Sequence, residues 1–373
     1  MSTHNRIPNW QYLRDYEQQE RQDILGIVER VFSSGRLILG PEVEHFERNF
    51  SGFCGAAHGV GVNSCTDALF LALKCLGLGD GDEVLTVANT AVPTVAAIRA
   101  AGCRPVFVDV DADTFLMNPA KIEEQITPRT RCFLPVHLCG HPVDMAPLLE
   151  IAAVRGIPVV EDCAQAAGAL YHGQRVGAIG TMGAFSFYPT KILGGFGDGG
   201  MLVTSDDACA VRLRRLRFYG MQDSYCAEEE GYNSRLDEVQ AALLDYRLQG
   251  VEGAVARRRE IAGLYGQALA GVGDIRLPVV REGCSHQYYL YTVRTAHRDR
   301  LMEHLAGHDI EARINYPIPI HLMPGYRFLG YSAGALPVTE QLAGEILSLP
   351  MFPALGDDEV LRVAQAIRGF FGH

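Results

Sequence analysis

Between residues 58 and 204 the chain alternates short apolar runs with stretches whose apolar positions recur at helical spacing. The short runs, at 59–63, 83–87, 105–109, 132–137, 158–161, 184–188 and 200–204, read as buried strands. The periodic stretches, at 67–78, 93–101, 121–126 and 145–155, read as helices. This alternation predicts an α/β fold: a mostly parallel seven-stranded sheet covered by helices on both faces, with right-handed crossovers linking the first three strands.

Two long helices are predicted next, at 208–218 and 236–259. Beyond them the pattern changes. Residues 286–295 alternate like a strand, 298–307 are helical, 310–315 read as a further strand, and 357–371 close as a helix. The chain therefore divides, on this reading, into a large α/β domain over 1–250 and a smaller α+β C-terminal domain over 251–373. The N-terminal helix is free to pack on the small domain. No repeat or low-complexity tail is visible.

Composition narrows the function. Hydrophobic residues make up 48% and charged residues 21%, an ordinary balance for a globular chain. The formal net charge of −11 and the lack of any Lys/Arg run argue against a nucleic-acid partner, though not against a small basic pocket. The ten cysteines form no Cys-x-x-Cys pair, so neither a zinc site nor a disulfide framework is expected. Reduced, mostly buried thiols fit a cytoplasmic protein. The polar stretch 1–22 carries no apolar signal core, and no segment is apolar for long enough to span a membrane.

Four segments carry candidate chemistry. The first is Phe185-Ser186-Phe187-Tyr188-Pro189-Thr190-Lys191, followed by a glycine run from Gly194 to Gly200. Glycines allow unusual backbone angles and the close approach of something flat or anionic. A deprotonated lysine amine beside them can attack a carbonyl, and its natural partner is pyridoxal phosphate held as a Schiff base. Alone, Lys191 would read better as a solvated residue on a glycine-rich turn. The second segment is Val159-Val160-Glu161-Asp162-Cys163-Ala164-Gln165. Its acid lies at the carboxyl end of a predicted strand, where open α/β sheets bind ligands. Asp162 is placed to pair with the pyridine nitrogen, and Gln165 to sit beside the ring hydroxyl. Asp162 could equally cap the following turn. Strand alternation points Glu161 the other way and makes it the weaker candidate.

The third segment is Asn63-Ser64-Cys65-Thr66-Asp67, a strand running into a helix. The hydroxyls of Ser64 and Thr66 and the amides of Cys65 and Thr66 suit a phosphate at a helix N-terminus, and they suit ordinary capping as well. Ser186 offers a further hydroxyl. The fourth segment is Tyr232-Asn233-Ser234-Arg235-Leu236-Asp237-Glu238, which opens a long helix, so Asn233 or Ser234 could serve simply as its cap.

Together these segments resemble the DegT/DnrJ/StrS family of sugar aminotransferases, fold-type-I enzymes dependent on pyridoxal phosphate. The resemblance spans nearly the whole chain, from Ser33-Ser34-Gly35-Arg36-Leu37-Ile38-Leu39-Gly40-Pro41 to Leu347-Ser348-Leu349-Pro350. It includes Leu134-Pro135-Val136-His137-Leu138-Cys139-Gly140-His141-Pro142 and Tyr316-Pro317-Ile318-Pro319-Ile320-His321-Leu322. It implies that Lys191 and Asp162 are catalytic. It assigns the cofactor to Ser64, Cys65, Thr66, Ala91, Asp162, Gln165, Ser186, Lys191 and Asn233, the last reaching the phosphate from a neighbouring subunit. A homodimer with shared active sites follows. Tyr188, Arg235, Tyr316 and His321 are the candidates for substrate contact. The two prolines between Tyr316 and His321 stiffen that segment and could fix the directions of both side chains, although a packed Tyr and a surface His fit nearly as well. Many relatives place an aromatic residue where this chain has Ala91.

The resemblance further implies that an amino group moves from an amino acid, with L-glutamate the expected donor, to a nucleotide-linked keto sugar. Pyridoxamine phosphate carries the nitrogen between the halves. The motifs Phe187–Lys191, Asn233–Glu238 and Tyr316–Leu322 are similar to those of the branch acting on dTDP-3-keto-6-deoxyhexoses. Alternatives are a 4-keto or other keto sugar, a sugar dehydratase, or a non-catalytic regulatory relative. The dehydratases carry histidine where this chain has Lys191. No metal is expected.

Overall fold

The computed structural model describes residues 6–11, 18–222 and 225–372. Of the polar stretch 1–22, residues 1–5 and 12–17 therefore lie outside the described residues.

Seven apolar runs pair as strands: β1 His58–Val62, β2 Glu83–Thr86, β3 Arg104–Phe107, β4 Thr130–Phe133, β5 Val160–Asp162, β6 Met182–Ser186 and β7 Gly200–Thr204. One ladder runs β1-β7-β6-β5 and another β3-β2-β4. Parallel bridges from Phe133 to Val159 and from Val136 to Asp162 join β4 to β5. The order is thus β1-β7-β6-β5-β4-β2-β3. Strand β7 is antiparallel to both neighbours, and the other six run parallel. Their carboxyl ends share one edge of the sheet, where ligands bind in open α/β sheets. Strands buried on both faces read as continuous apolar runs, which is why they stand out in the sequence.

Side-chain alternation sends β6 to two cores. Met182 and Ala184 of β6 pack with one apolar cluster, together with α3 Cys65–Cys75, α4 Val92–Ala100, α5 Met145–Arg155 and α6 Asp207–Leu216. Phe185 points the other way, into a cluster with Phe46 and Phe50 of α2 Pro41–Cys54 and with Leu244 of α7 Glu238–Leu248. Phe50 meets the rings of both Phe185 and Phe187 edge-on, with centroids 5.0 and 5.1 Å away. Helix α1 Gln18–Ser34 lies against α7, where the Tyr246 hydroxyl donates to Asp23 at 3.0 Å.

A third cluster joins Ile261 and Tyr265 of α8 Val251–Leu269, Leu301 of α9 Arg298–Gly307 and Ile367 of α11 Asp357–Phe371. Its strands are β8 Tyr291–Arg294 and β9 Ile346–Leu349, paired antiparallel. Ile7 is buried in this cluster and bridges to Ile310, so the segment ahead of α1 reaches it. Helix α10 Pro337–Glu345 leads directly into β9.

Several boundaries differ from the sequence reading. Residues 121–126 form no α-helix but two 3-10 turns, Pro119–Lys121 and Glu123–Gln125. The single helix expected over 236–259 is two, because Gly250 interrupts it between α7 and α8. The strand expected at 286–295 is shorter, and 310–315 contributes only isolated bridges at Ile310 and Arg313. Strand β9 was not expected.

Two motifs that look independent in sequence meet here. Helix α2 has no side-chain cap of its own. Instead the Glu238 carboxylate accepts the amides of Gly40, Glu42 and Val43 at 2.7, 3.0 and 3.1 Å. A carboxylate at a helix N-terminus satisfies its orphan N–H groups and complements its dipole.

Candidate active site

The carboxyl edge of the sheet opens into a cavity of about 290 Å³. Nine of the thirteen residues proposed from sequence line it: Ser64, Cys65, Thr66, Ala91, Asp162, Gln165, Ser186, Tyr188 and Lys191. They come from the ends of β1, β2, β5 and β6, so the parallel strands gather residues that are up to 127 positions apart (191 − 64).

Asp162 ends β5 and is 3% exposed. Its Oδ1 accepts the Ala164 amide at 3.1 Å, and its Oδ2 accepts the Thr94 hydroxyl at 2.8 Å. One oxygen thus caps the turn while the carboxyl still lines the cavity. Burial pushes this carboxyl up from its ordinary value, against the lowering effect of those two bonds and the nearby Lys191 and His137. Glu161 points away, as alternation demands. It accepts Gly177, Ile179 and Gly180 amides and the His137 ring.

His137, Glu161 and Cys163 bring three potential metal-ligand atoms within 4.8 Å of one another. Their bonding is already committed, however. His137 Nδ1 accepts the Val143 amide and Nε2 faces Glu161. Burial raises the Cys163 thiol well above its ordinary value, which disfavours the thiolate a metal needs.

Helix α3 starts at Cys65. The Ser64 hydroxyl accepts the Asp67 amide at 3.1 Å, and the Ser64 carbonyl accepts the Ala68 amide at 2.9 Å. The amides of Cys65 and Thr66 precede this first helical bond and stay open to an anion. Ser64 therefore acts as the helix cap, while Thr66 lines the cavity. Across from them β7 begins with Gly200, where a Cβ would fall 2.4 Å from the Ser64 carbonyl carbon. No larger residue would let the two backbones approach this way.

Lys191 enters the cavity from the turn after β6. Its amide donates to the Tyr188 carbonyl at 2.9 Å. Its Nζ stands 4.7 Å above the Tyr289 ring, whose hydroxyl meets Thr190 at 3.1 Å. Gln165 is held at both ends: Oε1 accepts the Cys139 amide at 2.7 Å, and Nε2 donates to the Tyr316 hydroxyl at 3.0 Å. Tyr316 thereby touches the site through Gln165.

Asn233, Arg235 and His321 do not line the cavity. Asn233 is exposed on a segment tied to β1 through Ser234 and Asn63. The Arg235 guanidinium lies 5.4 Å from each of the Phe218 and Tyr219 rings. The expectation for His321 needs correction. It is 1% exposed, and its Nε2 meets Glu340 at 3.0 Å beside the Phe107 and Tyr331 rings. Glu340 also accepts the Gly334 and Leu336 amides. A buried side chain held to Glu340 in this way pins the 320–336 segment. His321→Ala is expected to lower stability by about 2 to 4 kcal/mol, since it leaves a carboxylate without one partner and opens a cavity. Denaturant unfolding checks this, and an unchanged midpoint contradicts it.

Sequence reasoning missed Thr90, Thr94 and Asp198, which also line the cavity, and Tyr289 under Lys191. The signal for the threonines was their spacing of one helical turn at the start of α4.

These residues fit pyridoxal phosphate. The buried Asp162 carboxyl suits a ring nitrogen. The open amides of Cys65 and Thr66, with the Thr66 and Ser186 hydroxyls, suit a phosphate, and an amine shares the cavity.

The model of the DegT/DnrJ/EryC1/StrS aminotransferase family matches residues 18–368. The chain is 50% identical to the dTDP-3-amino-3,4,6-trideoxy-alpha-D-glucose transaminase of Micromonospora megalomicea subsp. nigra, covering 96% of this chain and 97% of the relative. It is 46% identical to the enzyme of the same name from Streptomyces venezuelae, covering 97% and 96%. Its fold superimposes on the crystal structure of S. venezuelae DesV in complex with a ketimine intermediate, with a TM-score of 0.96, 45% identity and 99% of each chain covered.

Proposed function

The chain belongs to the DegT/DnrJ/EryC1/StrS aminotransferase family, and from that premise we propose that it moves an amino group from L-glutamate to a dTDP-linked 3-keto-6-deoxyhexose. The observation that carries the reading is the convergence of Lys191, Asp162, Gln165 and Ser186 on one cavity, a set that packing does not require. The named activity of the two transaminases, at 50% and 46% identity, supports the nucleotide and the keto position.

When bound, pyridoxal phosphate supplies an electron sink and carries the amino group between the two substrates. Ser186, Thr66 and the α3 amides would hold its phosphate. Asp162 would hold a proton on the ring nitrogen, and Gln165 would sit beside the ring hydroxyl. Lys191 Nζ takes the proton from the donor's α-carbon and returns one when the sugar is aminated. Tyr188, half exposed at the cavity lip, is the side chain placed to meet the incoming sugar. Ala91 offers only a methyl group at the cavity wall.

The same reading makes the enzyme a homodimer of the cytoplasm, each chain dividing near residue 250 into a large and a small domain. Asn233 and Arg235 would act on the partner subunit's site. Their place outside the cavity of their own chain fits this, as do the exposed Leu25, Phe32, Leu37 and Ile38 around α1. Mixing Lys191→Ala with Asn233→Ala subunits is expected to restore about half of the activity per mixed dimer, because one site then holds both defects and the other holds neither. Inactive parents that exchange subunits without recovery would place both residues in one chain's site.

The substrate is tested with a panel of dTDP-linked 3-keto and 4-keto sugars, with glutamate as donor. The product is read by mass as one oxygen exchanged for one amino group. Amination of the 3-keto sugars alone is expected, and preference for a 4-keto sugar overturns the assignment.

A further inference from the structure

Each oxygen of Asp162 accepts a hydrogen bond, one of them from a threonine outside the site read from the sequence. Thr94 lies in the first turn of α4, its amide bonded to the Ala91 carbonyl at 3.2 Å. Its hydroxyl reaches Asp162 Oδ2 at 2.8 Å, and Thr90 Oγ1 lies 3.0 Å behind it. All three residues are nearly inaccessible, with exposures of 2%, 3% and 2% for Thr94, Asp162 and Thr90.

The geometry fixes the direction of the hydrogen bonds. A charged carboxylate only accepts, so the single Thr94 proton points at Asp162. Thr94 Oγ1 must then accept from Thr90. Two hydroxyl dipoles in series thus aim their positive ends at one oxygen, while the Ala164 amide holds the other. In a site of low dielectric such a chain polarises along its length.

We propose that Thr94, backed by Thr90, is the positioning residue of Asp162: it locks the carboxyl plane toward the cavity and holds it in the charged form the site requires. The inference rests on the cofactor reading above. Other groups face Asp162 as well. Lys191 approaches from the turn after β6 and His137 from beyond β4, and the Cys65 and Cys163 thiols lie nearby. His137 is committed to Glu161 and Val143. Both thiols are held protonated by burial. The Thr94 hydroxyl opposes the burial of Asp162 together with the Ala164 amide and the nearby Lys191 and His137.

The test uses the full-length protein and the affinity for pyridoxal phosphate, measured by equilibrium dialysis across pH, a readout independent of turnover. Thr94→Val keeps the shape and removes the hydroxyl. Affinity is expected to fall about tenfold, and the acidic limb of its pH profile to rise by about one unit, because loss of a donor makes the carboxyl easier to protonate. Thr94→Ser should restore both. Thr90→Val should move the limb in the same direction by less. An acidic limb unmoved in Thr94→Val overturns the inference, even with weakened affinity, since a purely packing role predicts that outcome. Should Thr94→Val not fold, an unmoved limb in Thr90→Val overturns it instead. A wild-type chain that takes up no pyridoxal phosphate would end the cofactor reading itself, which is a different failure.

Discussion

Lys191→Ala is expected to lower turnover by about four orders of magnitude while leaving the fold intact. The amine has two duties, covalent attachment and proton transfer, and each is worth a factor of roughly a hundred or more. No other lysine is among the described residues lining the cavity, so nothing nearby can substitute. The structural cost is small. Lys191 is only partly buried, its backbone bond to Tyr188 survives the change, and what is lost is one contact over the Tyr289 ring and a positive charge near the buried Asp162. Thermal unfolding should therefore shift little while single-turnover amination disappears. Residual activity within tenfold of wild type would show that another group does the work.

Asp162→Asn is expected to cost about a hundredfold to a thousandfold in turnover, on the scale of losing one preorganised electrostatic contact. The amide is nearly isosteric and can still accept the Ala164 N–H, so the turn it caps should persist. What it cannot do is carry the negative charge that keeps a ring nitrogen protonated. The pH dependence follows from the same group. Burial raises the Asp162 carboxyl, so it takes up a proton at a higher pH than an exposed aspartate, and activity should fall as pH drops through that raised value. In Asp162→Asn that acidic limb should vanish along with most of the rate. Wild-type turnover in this variant would mean that Asp162 only caps its turn.

The sheet was legible because its strands are buried on both faces and read as unbroken apolar runs between helical stretches. The sites at their ends were legible for a related reason. A carboxylate after Val159-Val160, or a hydroxyl pair after Val60-Gly61-Val62, must fall on the carboxyl edge. Contacts made across long sequence separations were not legible. Strand β9 is a four-residue run that becomes a strand only by pairing with Tyr291–Arg294. Thr94 becomes part of the site only when the first turn of α4 meets the end of β5, 68 residues away in sequence. His321 misled for the same reason. The proline-stiffened segment before it suggested a presented side chain, while its partner Glu340 sits on a helix 19 residues further on. Gly250 could have been read as a break, but the apolar periodicity runs through it and masked the boundary between α7 and α8.

The central claim is that Lys191 holds the cofactor of a sugar aminotransferase. Borohydride reduction of the pyridoxal phosphate-loaded protein, followed by peptide mapping, tests it most directly. A phosphopyridoxyl group on the peptide carrying Lys191 is the predicted result. Label on any other lysine, with Lys191 unmodified, would contradict it.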